Sequence, residues 1–341
     1  VGATLIYLGN SRGGLSFASA VFSALGNDKN QLIVSTRLKN IPPNATHASE
    51  IPSGMVENLL FFFKFRKRKS IIKKIASQIH FDTIIFLMTH PINFALNKVL
   101  KNRNIYTVIH DARPHQGDIW PTRITIRRLA KSPGIKILLS KNVSMHFEND
   151  PKIKKIVLPL IMSDPLDKIE KKEKDIDILF LGRHKRYKNY KFQIKLIKKL
   201  APEFVIYVSM PIKYKKLINN LKNVIIQNKE LSDSEYPDIL ARSNCLVLTH
   251  RKSSQSGLLV EAVMAGIKIV GPRIPGISEQ FRNFQLSSLY QPNNLEDAIS
   301  KITEELSNEK NTKKIPEIIE KNNNLWRQIF VKNFKSRIEE N

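Results

Sequence analysis

A chain of 341 residues that is 42% hydrophobic and 25% charged has room for two globular domains and too much apolar content for a disordered polymer. Its single cysteine, Cys245, excludes an internal disulfide framework and a cysteine metal cluster, which fits a reducing cytoplasm. The 56 Lys and Arg against 30 Asp and Glu, a net charge of +26, point to an anionic partner: nucleic acid, an acidic membrane face or a phosphorylated substrate.

Along the chain, short β-branched runs alternate with longer helical patterns. The strand candidates are TLIYLG (Thr4 to Gly9), LIVS, TIIFLM, YTVIH and IKILLS, then KIVLPL, IDILFLG, EFVIYVS, NVIIQ, CLVLTH and IKIVG. Such alternation predicts parallel sheets with helices on both faces, and about ten strands are too many for one ordinary sheet. The numbering opens on a strand pattern, so no signal peptide is expected, and no apolar run approaches the ~20 residues of a membrane-spanning helix. A stretch with Pro159, Pro165 and a charged segment from Lys168 to Lys174 reads as a junction. The expected organisation is α/β, with two Rossmann-like domains joined near residue 160.

Ligands of open α/β sheets bind beyond the carboxyl ends of the strands, so residues just after each strand are the candidates. After TLIYLG, the Gly13-Gly14 pair precedes a helix. It reads either as a backbone cradle for an oxygen anion or as a tight turn, and the G-x-G-x-x-G fingerprint is absent. After YTVI come His110, Asp111, His115 and Asp118, residue types suited to acid–base work or hydroxyl binding. His90 ends TIIFLMTH, where it could serve the same edge or cap the following helix. After IDILFLG, Arg183 and Lys188 offer a guanidinium fork and an ammonium to a diphosphate, or form a solvated basic loop. In SSQSGLLVEAVMAG, Ser256 and Gly257 open a helix whose free N–H groups favour phosphate. Glu261 sits about one turn further in, either complementing the helix dipole or accepting from a sugar diol. The Asp175-Asp177 pair imitates a metal-binding Asp-x-Asp but lies at the wrong end of its strand, so no metal site and no cofactor are expected.

RGG, VIHDARPHQGD, FLGRHKRYKN and SSQSGLLVEAVMAGIKIVGPRIPGISEQ, which keep the family's motif order along the chain, together resemble the GT-B-fold glycosyltransferases. The resemblance is to the large retaining group that builds bacterial polysaccharide and lipopolysaccharide from nucleotide sugars. It implies an amino-terminal acceptor domain over 1–160 and a donor domain over 161–325, facing each other across a cleft. It also implies a terminal helix over 326–341 packed back on the first domain. It further implies that Arg183 and Lys188 bind the donor diphosphate, that the N–H groups of Ser256 and Gly257 face phosphate or sugar, and that Glu261 holds the ribose. His110 and Asp111 would stand at the reaction centre, with Gly13, Gly14, His90 and His115 lining the acceptor side. The family usually carries two glutamates eight positions apart, and here the first is Ser253, which leaves retaining and inverting outcomes both open. The implied donor is a UDP-, GDP- or dTDP-sugar.

The segment FFFKFRKRKSIIKK, Phe61 to Lys74, sets seven positive charges beside four phenylalanines. It reads as an interfacial element for an anionic leaflet, or as a solvated helix face with its apolar residues in the core. No nucleic-acid motif accompanies it. The expectation is a peripheral enzyme on the cytoplasmic face of the plasma membrane, acting on a glycan or lipid-linked acceptor. The rival readings are a nucleotide-sugar epimerase of similar fold and a non-catalytic polyanion-binding protein.

Overall fold

The computed structural model describes residues 2–9, 11–35, 38, 41–48, 65–111, 120–148, 150–166, 172–182, 184–185, 187–229, 231–308 and 314–338. The chain forms two compact units. The first is built mainly from Val1–Pro114, Asp118–Ser163 and Glu320–Asn341, the second mainly from Asp164–Ile319.

The first unit holds a seven-stranded parallel sheet. Its strands are β1 (Ala3–Tyr7), β2 (Gln31–Val34), β3 (Ala45–His47), β4 (Thr83–Phe86), β5 (Asn104–Ile109), β6 (Ile135–Leu138) and β7 (Lys155–Val157), in the spatial order 3-2-1-4-5-6-7. Every residue of β1, β2 and β4 is buried, which explains their continuous apolar sequences: a central parallel strand is covered on both faces. The helices described here are α1 (Arg12–Leu25), α2 (Phe65–Ser77), α3 (Pro91–Val99), α4 (Trp120–Ala130), α5 (Lys141–Ser144) and, from the far end of the chain, a long helix over Ile315–Ile338. Helix α2 is amphipathic: Ile71, Ile72 and Ile75 join Ile6, Ile33 and Phe86 in the core, while Lys69, Lys73 and Lys74 are exposed.

The second unit repeats the plan with six parallel strands: β8 (Ile176–Phe180), β9 (Ile206–Ser209), β10 (Val224–Gln227), β11 (Ser243–Val247), β12 (Lys268–Pro272) and β13 (Leu289–Tyr290), in the order 10-9-8-11-12-13. Its helices are α6 (Tyr190–Leu200), α7 (Ile212–Lys215), α8 (Glu235–Ala241), α9 (Gly257–Met264), α10 (Pro275–Asn283) and α11 (Leu295–Ser307), so the terminal Ile315–Ile338 helix is α12. Renumbered within the unit, this order is 3-2-1-4-5-6, the Rossmann arrangement, and the expected fold class is borne out. Among the described residues there are 13 strands rather than about ten. The unforeseen ones, β3 and β13, span three and two residues, too short for a periodic apolar pattern.

Helix α12 anchors to the first unit. Its Trp326 is fully buried, donates its indole N–H to the Pro159 carbonyl at 3.0 Å and meets the Phe17 ring edge-on at 5.8 Å. Arg327 donates to the Ala24 carbonyl at 2.9 Å, closing the last turn of α1. Among the described residues no helix is long and apolar enough to cross a membrane.

Candidate functional site

In the second unit, β8 and β11 are neighbours, and the chain leaves them toward opposite edges of the sheet. Such a switch point opens a crevice at the strands' carboxyl ends. The two loops that follow these strands are laced together. Asn189 donates its N–H to the Thr249 carbonyl at 2.9 Å, and Arg251 donates its own to the Tyr187 carbonyl at 2.8 Å. Between them Lys188 and His250 form an isolated antiparallel bridge, and the Tyr187 and His250 rings stack with centroids 5.2 Å apart.

Lys188 lies inside this lacing. Its side chain is buried, and its ammonium donates to the Leu181 carbonyl at 2.5 Å, at the end of β8. Gly182 makes that path possible. Its φ is +115°, and a Cβ there would lie 2.2 Å from the Lys188 Nζ. The lysine thus holds a fixed positive charge at the crevice floor, in a small depression lined by Leu181, Gln193, Ser209, Thr249 and His250. His184 contacts the Ser209 hydroxyl at 3.2 Å on the same rim. Arg183 lies outside the described residues.

Helix α9 starts on the other side of the switch point. Ser256 is its N-cap and accepts from the Leu259 N–H at 3.3 Å through Oγ. The Ser256 N–H, expected to face phosphate or sugar, instead donates to the Gln280 Oε1 at 2.7 Å. Gln280 returns a bond from its Nε2 to the Ser256 carbonyl at 3.1 Å. The residue is therefore a clamp point between α9 and α10, and an anion at this terminus is left with the N–H groups of Gly257 and Leu258. Gly276 lets the clamp close: a Cβ there would come within 2.2 Å and 2.3 Å of the Ser253 and Ser254 carbonyl oxygens. Ser253 turns its hydroxyl onto the Gln255 carbonyl at 2.7 Å.

Glu261 is buried, one turn into α9, and accepts a 2.6 Å hydrogen bond from the Tyr236 hydroxyl of α8. A buried carboxylate held this way keeps acceptor capacity in a fixed direction. Tyr236 and Gln280 carry no sequence signal of their roles, for different reasons. Gln280 lies in GISEQ with nothing beside it to mark its role, whereas Tyr236 is 25 residues from the group it orients.

In the first unit, His110 follows β5. Its Nε2 donates to the Leu87 carbonyl at 2.8 Å, and its ring meets Phe17 edge-on at 4.8 Å. Burial lowers its pKa, against the opposing pull of the Leu87 bond and the adjacent Asp111 carboxylate. His90 takes the capping alternative. Its Nδ1 accepts from the Ile92 N–H at 3.2 Å at the start of α3, and burial lowers its pKa to about 4. Of the two alternatives the sequence left open for His90, the capping one is observed. Gly14 also serves the fold: its N–H donates to the Ser11 hydroxyl at 3.2 Å, and a Cβ would lie 1.9 Å from the Tyr7 hydroxyl. Gly13 faces open space, with nothing within 4 Å of a Cβ. His115 and Asp118 lie outside the described residues. Among those described, no three His, Cys, Asp or Glu side chains converge as a metal-ligand set.

Comparison with known proteins follows the same division. Residues 164–323 match the family model described as glycosyl transferases group 1. No curated protein matches the sequence significantly. Solved structures match over nearly the whole chain. Sucrose-phosphate synthase from Thermosynechococcus elongatus aligns with a TM-score of 0.68 at 10% identity, covering 99% of this chain and 100% of its own. Anabaena Alr3699/HepE in complex with UDP aligns at 0.64 and 11% identity, covering 98% and 100%. WaaG, a glycosyltransferase involved in lipopolysaccharide biosynthesis, aligns at 0.60 and 13% identity, covering 96% and 94%. The resemblance to GT-B-fold glycosyltransferases thus extends over the fold of the whole chain and over the sequence of its second unit.

Proposed function

We propose that this protein, whose second unit carries the group 1 glycosyltransferase match, moves a sugar from a nucleotide-sugar donor to a glycan or lipid-linked acceptor of a surface polysaccharide. The observation that carries the reading is the β8/β11 switch point. There a buried lysine, a helix N-terminus and an oriented buried carboxylate come from three separated segments of one unit. A nucleoside diphosphate has a chemical partner for each member of that set. The Lys188 ammonium, with Arg183, offsets the charge that develops on the departing diphosphate. The Gly257 and Leu258 N–H groups supply donors and the positive end of the α9 dipole. Glu261, steadied by Tyr236, accepts from the ribose diol. The cations and amides of the chain itself are proposed to stabilise the leaving group without a metal.

In the same reading His110 contacts the transferred sugar, with Asp111 beside it as the available carboxylate. Ser253 contributes no carboxylate, so a base, where one is needed, comes from elsewhere in the chain. The lipid-linked acceptor is supported by the basic α2, whose Lys69, Lys73 and Lys74 are exposed over an apolar inner face.

The test is a thermal-shift screen over nucleoside diphosphates followed by transfer assays on Arg183→Ala. Stabilisation by one nucleoside diphosphate well above inorganic polyphosphate is expected, by linkage. The variant should lose at least roughly tenfold in transfer. Equal responses to all polyanions would favour a polyanion-binding protein, and full activity in Arg183→Ala would remove the diphosphate assignment.

A further inference from the structure

One face of the second unit has a charge pattern that sugar transfer does not use. From Tyr190 to Lys229 the chain has nine lysines, no arginine and one acidic residue, Glu203. All nine lysines are exposed. Lys191, Lys195 and Lys198 lie at i, i+4 and i+7 on α6, one outward stripe, with Lys199 beside it. The inner side of α6 is a core face of Phe192, Ile194, Leu196 and Ile197.

The neighbouring segment 211–222 adds apolar residues that point outward. Successive N–H bonds from Tyr214 to Pro211, Leu217 to Tyr214 and Ile218 to Lys215 wind it into tight turns. Ile218 is buried, and Tyr214 and Leu221 pack on the same core. The segment is therefore anchored, yet Ile212 is 69% exposed and Leu217 51% exposed, among the exposed Lys213, Lys215, Lys216 and Lys222. Tyr190 of α6 stacks on Tyr214 with ring centroids 5.0 Å apart, which joins the lysine stripe and this segment into one surface. The surface ends at α11, which packs on α6 and carries Glu296, Asp297, Glu304 and Glu305.

We propose that this α6–α7 face docks on an anionic lipid bilayer, with Ile212 and Leu217 entering the headgroup region and the surrounding lysines facing lipid phosphates. The composition favours that occupant. Exposed aliphatic residues gain by leaving water at a bilayer interface. Nucleic acid would instead be met by arginine forks and stacking aromatics. A second copy would bring the eight lysines of α6 and 211–222 against eight across a twofold axis. The proposal is independent of the sugar-transfer reading, and distinct from the basic α2 of the first unit.

The experiment is sedimentation of the 341-residue chain with phosphatidylglycerol-containing or pure phosphatidylcholine vesicles. The background is a variant with Arg66, Lys67, Arg68 and Lys69 changed to Ser, so that α2 contributes little. Binding to the anionic vesicles alone is expected to remain. Adding Lys213→Ser, Lys215→Ser and Lys216→Ser should weaken it on the order of a hundredfold, from roughly fivefold per lysine near a charged surface. Adding Ile212→Ser and Leu217→Ser instead should remove the part of binding that survives high salt. No residual binding in the background, or binding unchanged by both sets, would overturn the proposal. So would heparin or RNA binding that falls with the lysines while Ile212→Ser and Leu217→Ser have no effect on vesicles, or a dimer that these changes dissociate. Each variant should keep the stabilisation by nucleoside diphosphate, which reports an intact second unit. A missing nucleotide response in every protein, wild type included, would count against sugar transfer and leave the vesicle result standing.

Discussion

His90 shows how a residue with catalytic chemistry becomes a structural one. Its neutral Nδ1 caps α3, and its folded pKa of about 4 stands below the ordinary 6.5. Between those values the unfolded chain binds a proton that the folded chain refuses. Stability is therefore full above about pH 6.5 and falls as the pH drops toward 4, by up to about 3 kcal/mol for the whole shift. Urea midpoints at pH 7, 5.5 and 4.5 should show that slope in the wild type and a shallower one in His90→Asn, which caps without titrating; parallel profiles would refute the assignment. Gly182 is the second such residue. At φ +115°, with Lys188 Nζ in the space a Cβ would take, Gly182→Ala should cost on the order of 1–3 kcal/mol and also weaken nucleoside diphosphate binding, because the ammonium must move. A loss of stability with unchanged nucleotide affinity, measured by calorimetry, would separate Lys188 from the phosphates. For Glu261, Tyr236→Phe removes one donor to a buried carboxylate, and nucleotide affinity should drop by roughly three- to tenfold with turnover less affected.

At the scale of elements, the second unit works by clamping two helix starts together. Gln280 on α10 makes both bonds to the Ser256 backbone at the start of α9, and Gly276 admits the Ser253 and Ser254 carbonyls. The position of the Gly257 N–H group depends on this contact. Gln280→Ala strands a buried N–H and carbonyl, at about 1–3 kcal/mol. Amide exchange should accelerate at Ser256–Leu259 with little change in the strands. Uniform acceleration through the unit would mean that the clamp supports the whole fold rather than the helix start. Helix α2 answers to the same logic: the isoleucines that define its core face also fix which lysines reach solvent.

At the scale of the molecule, the last helix belongs to the first unit although it follows the second in sequence. Trp326, Phe17 and His110 form a line of edge-on ring contacts, so α12 supports the wall against which the His110 ring rests. Trp326→Ala should destabilise the first unit by about 3–5 kcal/mol, as truncation of a large buried aromatic does. If the two units unfold separately in scanning calorimetry, only the transition that nucleoside diphosphate does not shift should move. A shift of both transitions would show that the units unfold as one.

The two-sheet α/β plan is written in the order of the apolar runs, and the loops that follow those runs are where the sequence directs the search for binding residues. Buried parallel strands impose continuous apolar runs, so IDILFLG and CLVLTH are legible as strands, and the loops after them hold the candidates Lys188, Ser256 and Glu261. Short edge strands such as β3 and β13 are not legible, because two or three residues carry no periodicity. What each polar group does depends on how the elements pack against one another. Ser256 gives its N–H to Gln280, His90 caps a helix, Gly14 makes room for Tyr7, and Tyr236 directs Glu261. Each of these partners is set by which elements pack together, and hydrogen bonds formed across such distances leave no pattern in the local sequence.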